Sequence, residues 1–299
     1  MTSQSSDIVI IGAGIAGLVA AHECLESGRS VTIIDRHDET RVGGLARTAF
    51  GGMALVGTPL QKRLGIRDTP ELALSDWHSF AEFGAGDHWP RRWAEAYVEQ
   101  SAERVFHWLR DKGLKYMPAV NWVERGDFVP GNSVPRYHIL WGTGIGLVEH
   151  FVDRIAVHPN RDRLRYVFGC RVKDLIEEGG RIAGCRGEIE ATGEQREYRG
   201  DITIVATGGI NGNLQKVREH WPAAPAELLN GSHPFCDGYL HDVVEQHGGR
   251  VTHLEHMWNY AAGIPHPQAH FCLLYTSPSP RDQRPNLVCR RRRGKWGGG

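Results

Sequence analysis

The sequence predicts an α/β fold with a central parallel sheet, and three observations carry that reading. Short apolar runs of strand length ("IVII" at Ile8–Ile11, "VTII" at Val31–Ile34, "ITIV" before Ala206) are continuous rather than alternating, as in strands covered on both faces. Glycines follow the first and third runs almost directly. Segments with apolar residues at helical spacing lie between the runs, so β and α elements alternate along the chain.

The first unit is the most informative. Ile8–Ile11 leads into Gly12, Gly14 and Gly17 at G-x-G-x-x-G spacing, then a helical segment with Leu18, Ala21, His22 and Leu25 on one side, closed by Gly28. Val31–Ile34 follows and ends at Asp35, 23 residues beyond Gly12. Gly12 permits the tight turn, Gly14 lets backbone approach a diphosphate, and Gly17 allows close packing of helix on strand. The helix N-terminus offers unpaired N–H groups and a partial positive charge to phosphates. A carboxylate at Asp35 can accept hydrogen bonds from a ribose diol. Ile15 and Ala16, at the head of the helix, and Arg36, beside Asp35, complete this set of candidate dinucleotide-binding residues.

The unit alone does not separate NAD from FAD. The next stretch, "RVGGLARTAFGG", places Gly43 and Gly44, then Thr48, then Gly51 and Gly52 directly after the second strand. An NAD-binding domain would normally proceed to another helix, whereas this loop brings more backbone close to a flat or phosphorylated ligand.

Here the chain resembles the FAD-binding flavoprotein family that contains fumarate reductase, succinate dehydrogenase and 3-ketosteroid Δ1-dehydrogenase. More narrowly, it resembles the bacterial FAD-binding dehydrogenases grouped with the ketosteroid enzymes. The resemblance runs from the start to about Ala269, through "GNSVPRYHILWGTGIGLVEHF", "IVATGGINGN" and "CDGYLHDVVEQHGGRV". The family commonly has glutamate where this chain has the shorter Asp35. The resemblance implies that Thr48 and the glycines around it lie against the flavin ring and diphosphate. It implies that Val172 meets adenine through its backbone, and that Ala206, Thr207, Gly208 and Gly209 close over the dinucleotide. Asp237 and Gly238 would open a helix near the flavin end.

The expected architecture is therefore a Rossmann-like FAD-binding domain over residues 1–271, with a small antiparallel hairpin at "RVKDLIEEGGRIAGCRGEIE" and the capping domain missing. The resemblance implies an FAD-dependent oxidoreductase moving hydride between flavin N5 and a C–C bond beside a carbonyl or carboxylate. Its small-molecule substrate would be a steroid-like ketone or a dicarboxylate, and no residue of this chain is named as the catalytic acid or base. Two alternatives stand beside this reading: an NAD-dependent Rossmann enzyme, and an inactive truncated fragment that holds no cofactor stably.

The rest of the chain is plainer. "TPELALSDWHSFAEF" and "PRRWAEAYVEQSAERVFHWLRDKG" read as helices, the second starting near Pro90, carrying a core stripe of Trp93, Tyr97, Val105 and Leu109, and stopping at Gly113. "TGIGLVEHFVDRIAV" reads as a helix feeding a strand near Tyr166–Phe168. His253 and His256 flank Glu255 in a stretch that reads as extended, which would turn the histidines to opposite faces and leave no metal site. Ser133, Ser232 and Cys236 show no nucleophile elbow. Tyr116, Arg136, Tyr137 and His138 read as structural.

Composition excludes some partners. The 299 residues are 40% hydrophobic and 23% charged with net charge zero, giving no electrostatic case for nucleic acid or anionic membrane. Six scattered cysteines without a CxxC pair, no basic n-region at the start and no long apolar span lead to the expectation of a cytosolic protein. The end differs from everything before it: Cys272–Asp282, back-translated, matches a transposase-type sequencing adapter, and Asn286–Arg290 fits the far end of the same DNA. Residues 272–299, with their arginine run and closing glycines, are therefore expected to be a non-native, disordered tail on a truncated reading frame.

Overall fold

β-branched residues buried on both faces set the main sheet. Ile8–Ile11 are at most 7% exposed and Val31–Ile34 are buried throughout, so neither strand has a solvent side and each needs a neighbour to satisfy its backbone. The computed structural model describes residues 2–257, apart from residues 127, 128, 222, 225–227, 229, 231 and 232, together with the two-residue strands 264–265 and 273–274. Contacts gather into two units, one drawn from residues 1–47 and 148–278 and the other from residues 48–147. The stretch expected as one α/β domain thus contains two contact units.

In chain order the elements begin with β1 (Thr2–Ile11), α1 (Ile15–Glu26) and β2 (Val31–Ile34). The second unit follows with β3 (Gly52–Ala54), α2 (Pro59–Arg63), α3 (Pro70–Ala81) and α4 (His88–Ser101). A π-helical turn over Ala102–His107 leads to α5 (Trp108–Asp111), β4 (Tyr116–Asn121) and β5 (Tyr137–Leu140). The chain re-enters the first unit along α6 (Thr143–Ala156), then runs through β6 (Leu164–Val167), β7 (Cys170–Glu178), β8 (Arg181–Ile189) and β9 (Glu194–Val205). It continues with α7 (Leu214–His220) and α8 (Tyr239–Gln246). β10 (Ile264–Pro265) pairs antiparallel with β11 (Leu273–Leu274), and the rest of the expected tail lies outside the described residues.

The first unit is a six-stranded sheet in the order β6-β2-β1-β9-β8-β7. β6, β2, β1 and β9 run parallel, with Ile8 level with Val31 on one side and Ile202 on the other. The expected hairpin turns at Gly179–Gly180 between β7 and β8, but it is not a free-standing ribbon. β9 is twelve residues long: its first half pairs antiparallel with β8 while its length also follows β1 in parallel. The apolar end of β9, expected to be covered on both faces, is not: Ile202 is 55% exposed and Thr203–Val205 are half-buried. The charged start, Glu194–Arg199, is held by cross-strand ion pairs such as Arg186–Glu197 at 2.9 Å. Val9, Ile11, Ile34, Val172, Leu175, Tyr198, Leu240 and Val243 form one buried cluster on this sheet. No described helix is long and apolar enough to cross a membrane.

The second unit carries the three-stranded antiparallel sheet β3-β5-β4 and helices α2 to α5. The expected aromatic stripe is corrected here. Trp93 is 74% exposed, and the helix starts at His88 rather than near Pro90. Its buried positions step through Ala94, Val98 and Ser101, then Phe106 and Leu109. The longer step across the π turn admits one extra residue and rotates the apolar face, which a uniform period of 3.6 could not anticipate. Phe106 then stacks on Tyr116 at 4.8 Å.

The polar residues singled out in this unit are structural. Arg136, 3% exposed, forks onto Asp68 (2.8–3.1 Å) and reaches Asp76 at 2.6 Å. The His138 ring, fully buried, donates from Nδ1 to the Arg136 carbonyl at 2.6 Å and accepts the Thr58 hydroxyl at Nε2, 2.8 Å away. Burial holds its pKa below the ordinary histidine value. The unfolded chain therefore takes the proton first, so this contribution to stability is complete above about pH 6.5 and is lost as pH falls below it.

Two outcomes are expected. Arg136→Ala strands the buried Asp68 carboxylate and destabilises this unit by about 3–5 kcal/mol, read from its urea midpoint. The same midpoint falls between pH 7.5 and 5.5 in the wild type, and that fall is smaller in His138→Gln.

Candidate cofactor site

β1 pairs with β2 on one side and β9 on the other, so the chain leaves the sheet in opposite directions beside its carboxyl end. Such a switch point opens a crevice where ligands bind in parallel sheets. A cleft of about 550 Å³ lies there.

Local chemistry explains how its wall is built. The Gly12 N–H donates to the Ile34 carbonyl at 2.8 Å and the Ala206 N–H to that of Ile11 at 2.8 Å, tying the three strand ends together. Gly12 has φ +108°, and a Cβ there would sit 2.4 Å from the Ala206 oxygen. A Cβ on Gly17 would meet the Gly12 oxygen at 2.0 Å. Gly14 is different: a Cβ there meets nothing within 4 Å, so its bare backbone faces open space. Gly14 caps α1 without a side-chain bond, which leaves the first-turn N–H groups of Ile15 and Ala16 without a capping side chain at the cleft. The glycines therefore differ: Gly12 and Gly17 make room for protein, and Gly14 leaves its backbone bare at the cleft.

The second glycine pair closes onto the first. Gly43 donates its N–H to the Ala13 carbonyl at 2.8 Å and forms an isolated parallel bridge with Gly14. The space a Cβ would need at Gly43 is filled by Val148, at 2.3 Å. Asp35 accepts from the Ala13 N–H at 2.6 Å and the His37 N–H at 2.7 Å, so its carboxylate braces the glycine turn and retains lone pairs beyond these two bonds.

The cleft brings together Gly12, Gly14, Ile15, Ala16, Asp35, Arg36, Gly43 and Gly44 with Val172, Ala206, Thr207, Gly208, Gly209, Asp237 and Gly238. Gly17 lies behind this wall. Thr48, Gly51 and Gly52 belong to the second unit, where the room at Gly51 goes to the Thr143–Gly144 backbone and that at Gly52 to the Tyr137 ring. Arg36 is not a free cation: it forks onto Glu190 at 2.9–3.1 Å, lies 3.5 Å from Asp237 and stacks over Phe235 at 4.0 Å. The Arg36 fork holds the Glu190 carboxyl below the usual range.

Several cleft residues escaped the sequence reading, among them Cys170, Arg171, Phe235, Cys236 and His241. Cys236 adjoins the Asp237-Gly238 pair, which was the available signal. Burial pushes its thiol up. His241 gave no signal of its own.

Two histidine clusters lie elsewhere. The expected extended run at His253–His256 is instead a turn: the His256 N–H bonds the His253 carbonyl at 2.9 Å and the two rings stack at 4.7 Å, so the side chains share a face. His22 and His158 both face the Glu26 carboxylate, at 3.6 and 3.5 Å. There the Asn160 N–H donates to His158 Nδ1 and Arg154 to His22 Nε2, while His158 Nε2, buried, faces Glu26 without a hydrogen bond.

A parallel sheet with a switch-point crevice, a helix N-terminus stripped of side chains and an acid on the second strand defines a dinucleotide-binding α/β protein. The chain belongs to the FAD binding domain family, whose model matches residues 7–279, past the expected boundary at residue 271. FAD is therefore the dinucleotide, and the NAD alternative falls away.

Two relatives called KsdD-like steroid dehydrogenase show the scale of the match. That of Mycolicibacterium smegmatis is 44% identical over 280 residues, covering 87% of this chain and 51% of its own. That of Mycobacterium tuberculosis is 42% identical over 281 residues, covering 87% and 49%. The chain thus spans about half the length of the relatives it matches.

Solved structures share the fold. The 3-ketosteroid-Δ4-(5α)-dehydrogenase of Rhodococcus jostii superposes with a TM-score of 0.68 at 22% identity, over 84% of this chain and 55% of that one. A flavocytochrome c3 fumarate reductase superposes with a TM-score of 0.68 at 20% identity, over 82% and 40%.

The glycine geometry makes a paired prediction. Gly14→Ala leaves the thermal unfolding of the cofactor-free protein unchanged but weakens FAD binding at least tenfold, because the methyl occupies the cradle. Gly12→Ala instead destabilises the fold by about 1–3 kcal/mol, through a backbone clash at positive φ. Calorimetric melts and flavin titration of both variants separate the two effects.

Proposed function

We propose that this chain is the FAD-binding part of a longer FAD-dependent dehydrogenase that moves hydride between flavin N5 and a C–C bond beside an activating carbonyl. The observation that carries the proposal is the open space at Gly14 beside the stitched pair of glycine turns, which leaves room for a diphosphate against bare backbone. Bound FAD supplies the redox chemistry.

This chain's residues bind and orient. The Ile15 and Ala16 N–H groups and the α1 dipole meet the diphosphate, Asp35 accepts from the ribose, and the Val172 backbone meets adenine. Ala206 to Gly209 close over the dinucleotide, and Asp237-Gly238 positions its flavin end. Thr48, Gly51 and Gly52 are assigned to the ring by family resemblance. No residue of this chain is assigned as catalytic acid or base.

The substrate proposed is a steroid-like ketone rather than a dicarboxylate. Relatives above 40% identity are named steroid dehydrogenases, whereas those named urocanate or fumarate reductase fall at 26–28%. A ketone acidifies the neighbouring carbon, so that a base could take its proton, and bound flavin would supply the hydride acceptor. Residues 272–299 are proposed to be adapter-encoded, and the protein to work in the cytosol; sequencing the uninterrupted gene across codon 272 tests the first.

Assays of the full-length gene product with an artificial electron acceptor are expected to show turnover of 3-ketosteroids and none with fumarate or succinate. Turnover of the dicarboxylates alone, or a protein that takes up NAD and no flavin, would contradict the proposal.

A further inference from the structure

The loop Ala206–Gly209 supplies four successive lining residues to the cleft, yet only its first residue is tied to the sheet, by the Ala206 N–H on the Ile11 carbonyl at 2.8 Å. Its shape must therefore be set from outside the sheet. His241, on the first turn of α8, places Nε2 2.9 Å from the Gly208 carbonyl. A carbonyl can only accept, so Nε2 carries the proton and donates.

The same peptide plane is met at its other end. The Cys236 sulfur packs there, 3.1 Å from where a Cβ on Gly208 would be. Gly208 itself has φ +79°, and rotating this one plane would re-aim the Gly208 carbonyl and the Gly209 N–H beside the cleft. α8 is in turn anchored: Lys216, 8% exposed, donates to the Gly238 carbonyl at 2.9 Å and pairs with Asp242 at 2.5 Å. The imidazole is thus a strut between a fixed helix and the loop.

We infer that His241 is a cofactor-positioning residue, whose Nε2–H locks the Gly208–Gly209 peptide in the orientation that admits the dinucleotide. The inference rests on the FAD reading above. His241 touches the loop, not the chemistry, so its removal loosens a pre-formed cradle and raises the ordering cost of binding.

Replacement of the ring by amides of two lengths isolates this role. Gln places an N–H near the position of Nε2 and can still donate to Gly208; Asn places its amide near Nδ1 and falls short. Flavin-fluorescence titration of the 299-residue chain compares wild type with His241→Gln, His241→Asn and His241→Ala, alongside melts of the cofactor-free proteins. Loss of the bond in Asn and Ala is expected to weaken FAD binding roughly tenfold, with Gln within about twofold of wild type. The cofactor-free melts stay together.

FAD affinity that is equal in all four proteins, or weakened alike in Gln and Asn, overturns the inference. If His241→Ala does not fold, the Gln–Asn pair still decides. A wild-type chain that takes up no FAD is a separate result: it overturns the cofactor reading, and the inference with it.

Discussion

One missing methyl group organises this protein. At Gly12 the chain must turn sharply off β1 while the backbone of Ala206 presses in from β9, leaving 2.4 Å where a Cβ would stand. Because that space is empty, the ends of β1, β2 and β9 close together, and the switch-point crevice acquires a wall of backbone. Everything at the cleft follows from this contact. α1 starts where its free N–H groups face the crevice, Asp35 reaches back to the Ala13 N–H, and the Gly43 turn bridges to Gly14. A side chain at residue 12 would push β9 away and carry the Ala206–Gly209 loop with it.

The cleft is lined by backbone and by neutral or paired side chains rather than by free charge. Arg36 is committed to Glu190 and Asp237. His37 and His233 pack edge to face at 4.1 Å, and burial lowers the pKa of both. Such a surface suits a ligand whose charge is concentrated at its diphosphate and whose ends are flat. The helix dipole addresses the one and close backbone approach the other.

The parts of the site that were legible in the sequence are those where one residue type is physically required. Glycines at 12, 17 and 43 state their geometry directly, because a Cβ there would run into protein, and Gly14 and the acid closing β2 follow at the spacing that places them on the same crevice. The unread parts depend on tertiary neighbours. His241 acquires its role only because α8 docks beside the loop, and nothing in "GYLHDVV" distinguishes it from a surface histidine. Trp93 was misread because the buried face of α4 runs through Ala94, Val98 and Ser101, and one position along a helix turns a side chain by about 100°. His253 and His256 share a face because four residues turn where an extended run was expected. The long β9 was read only in its apolar half, since charged cross-strand pairs leave no hydrophobic period. In the second unit, Thr58, Gln61 and Asp68 were passed over because buried hydrogen-bond networks have no spacing rule.

The central claim is that a diphosphate rests on the bare backbone at Gly14, between the two glycine turns. Diffraction from the chain crystallised with FAD tests it most directly. The account predicts density for the diphosphate against the Ile15 and Ala16 amides, with the adenosine near Asp35 and Val172. FAD bound with its diphosphate away from Gly14, or crystals that take up NAD in that crevice and no flavin, would contradict it.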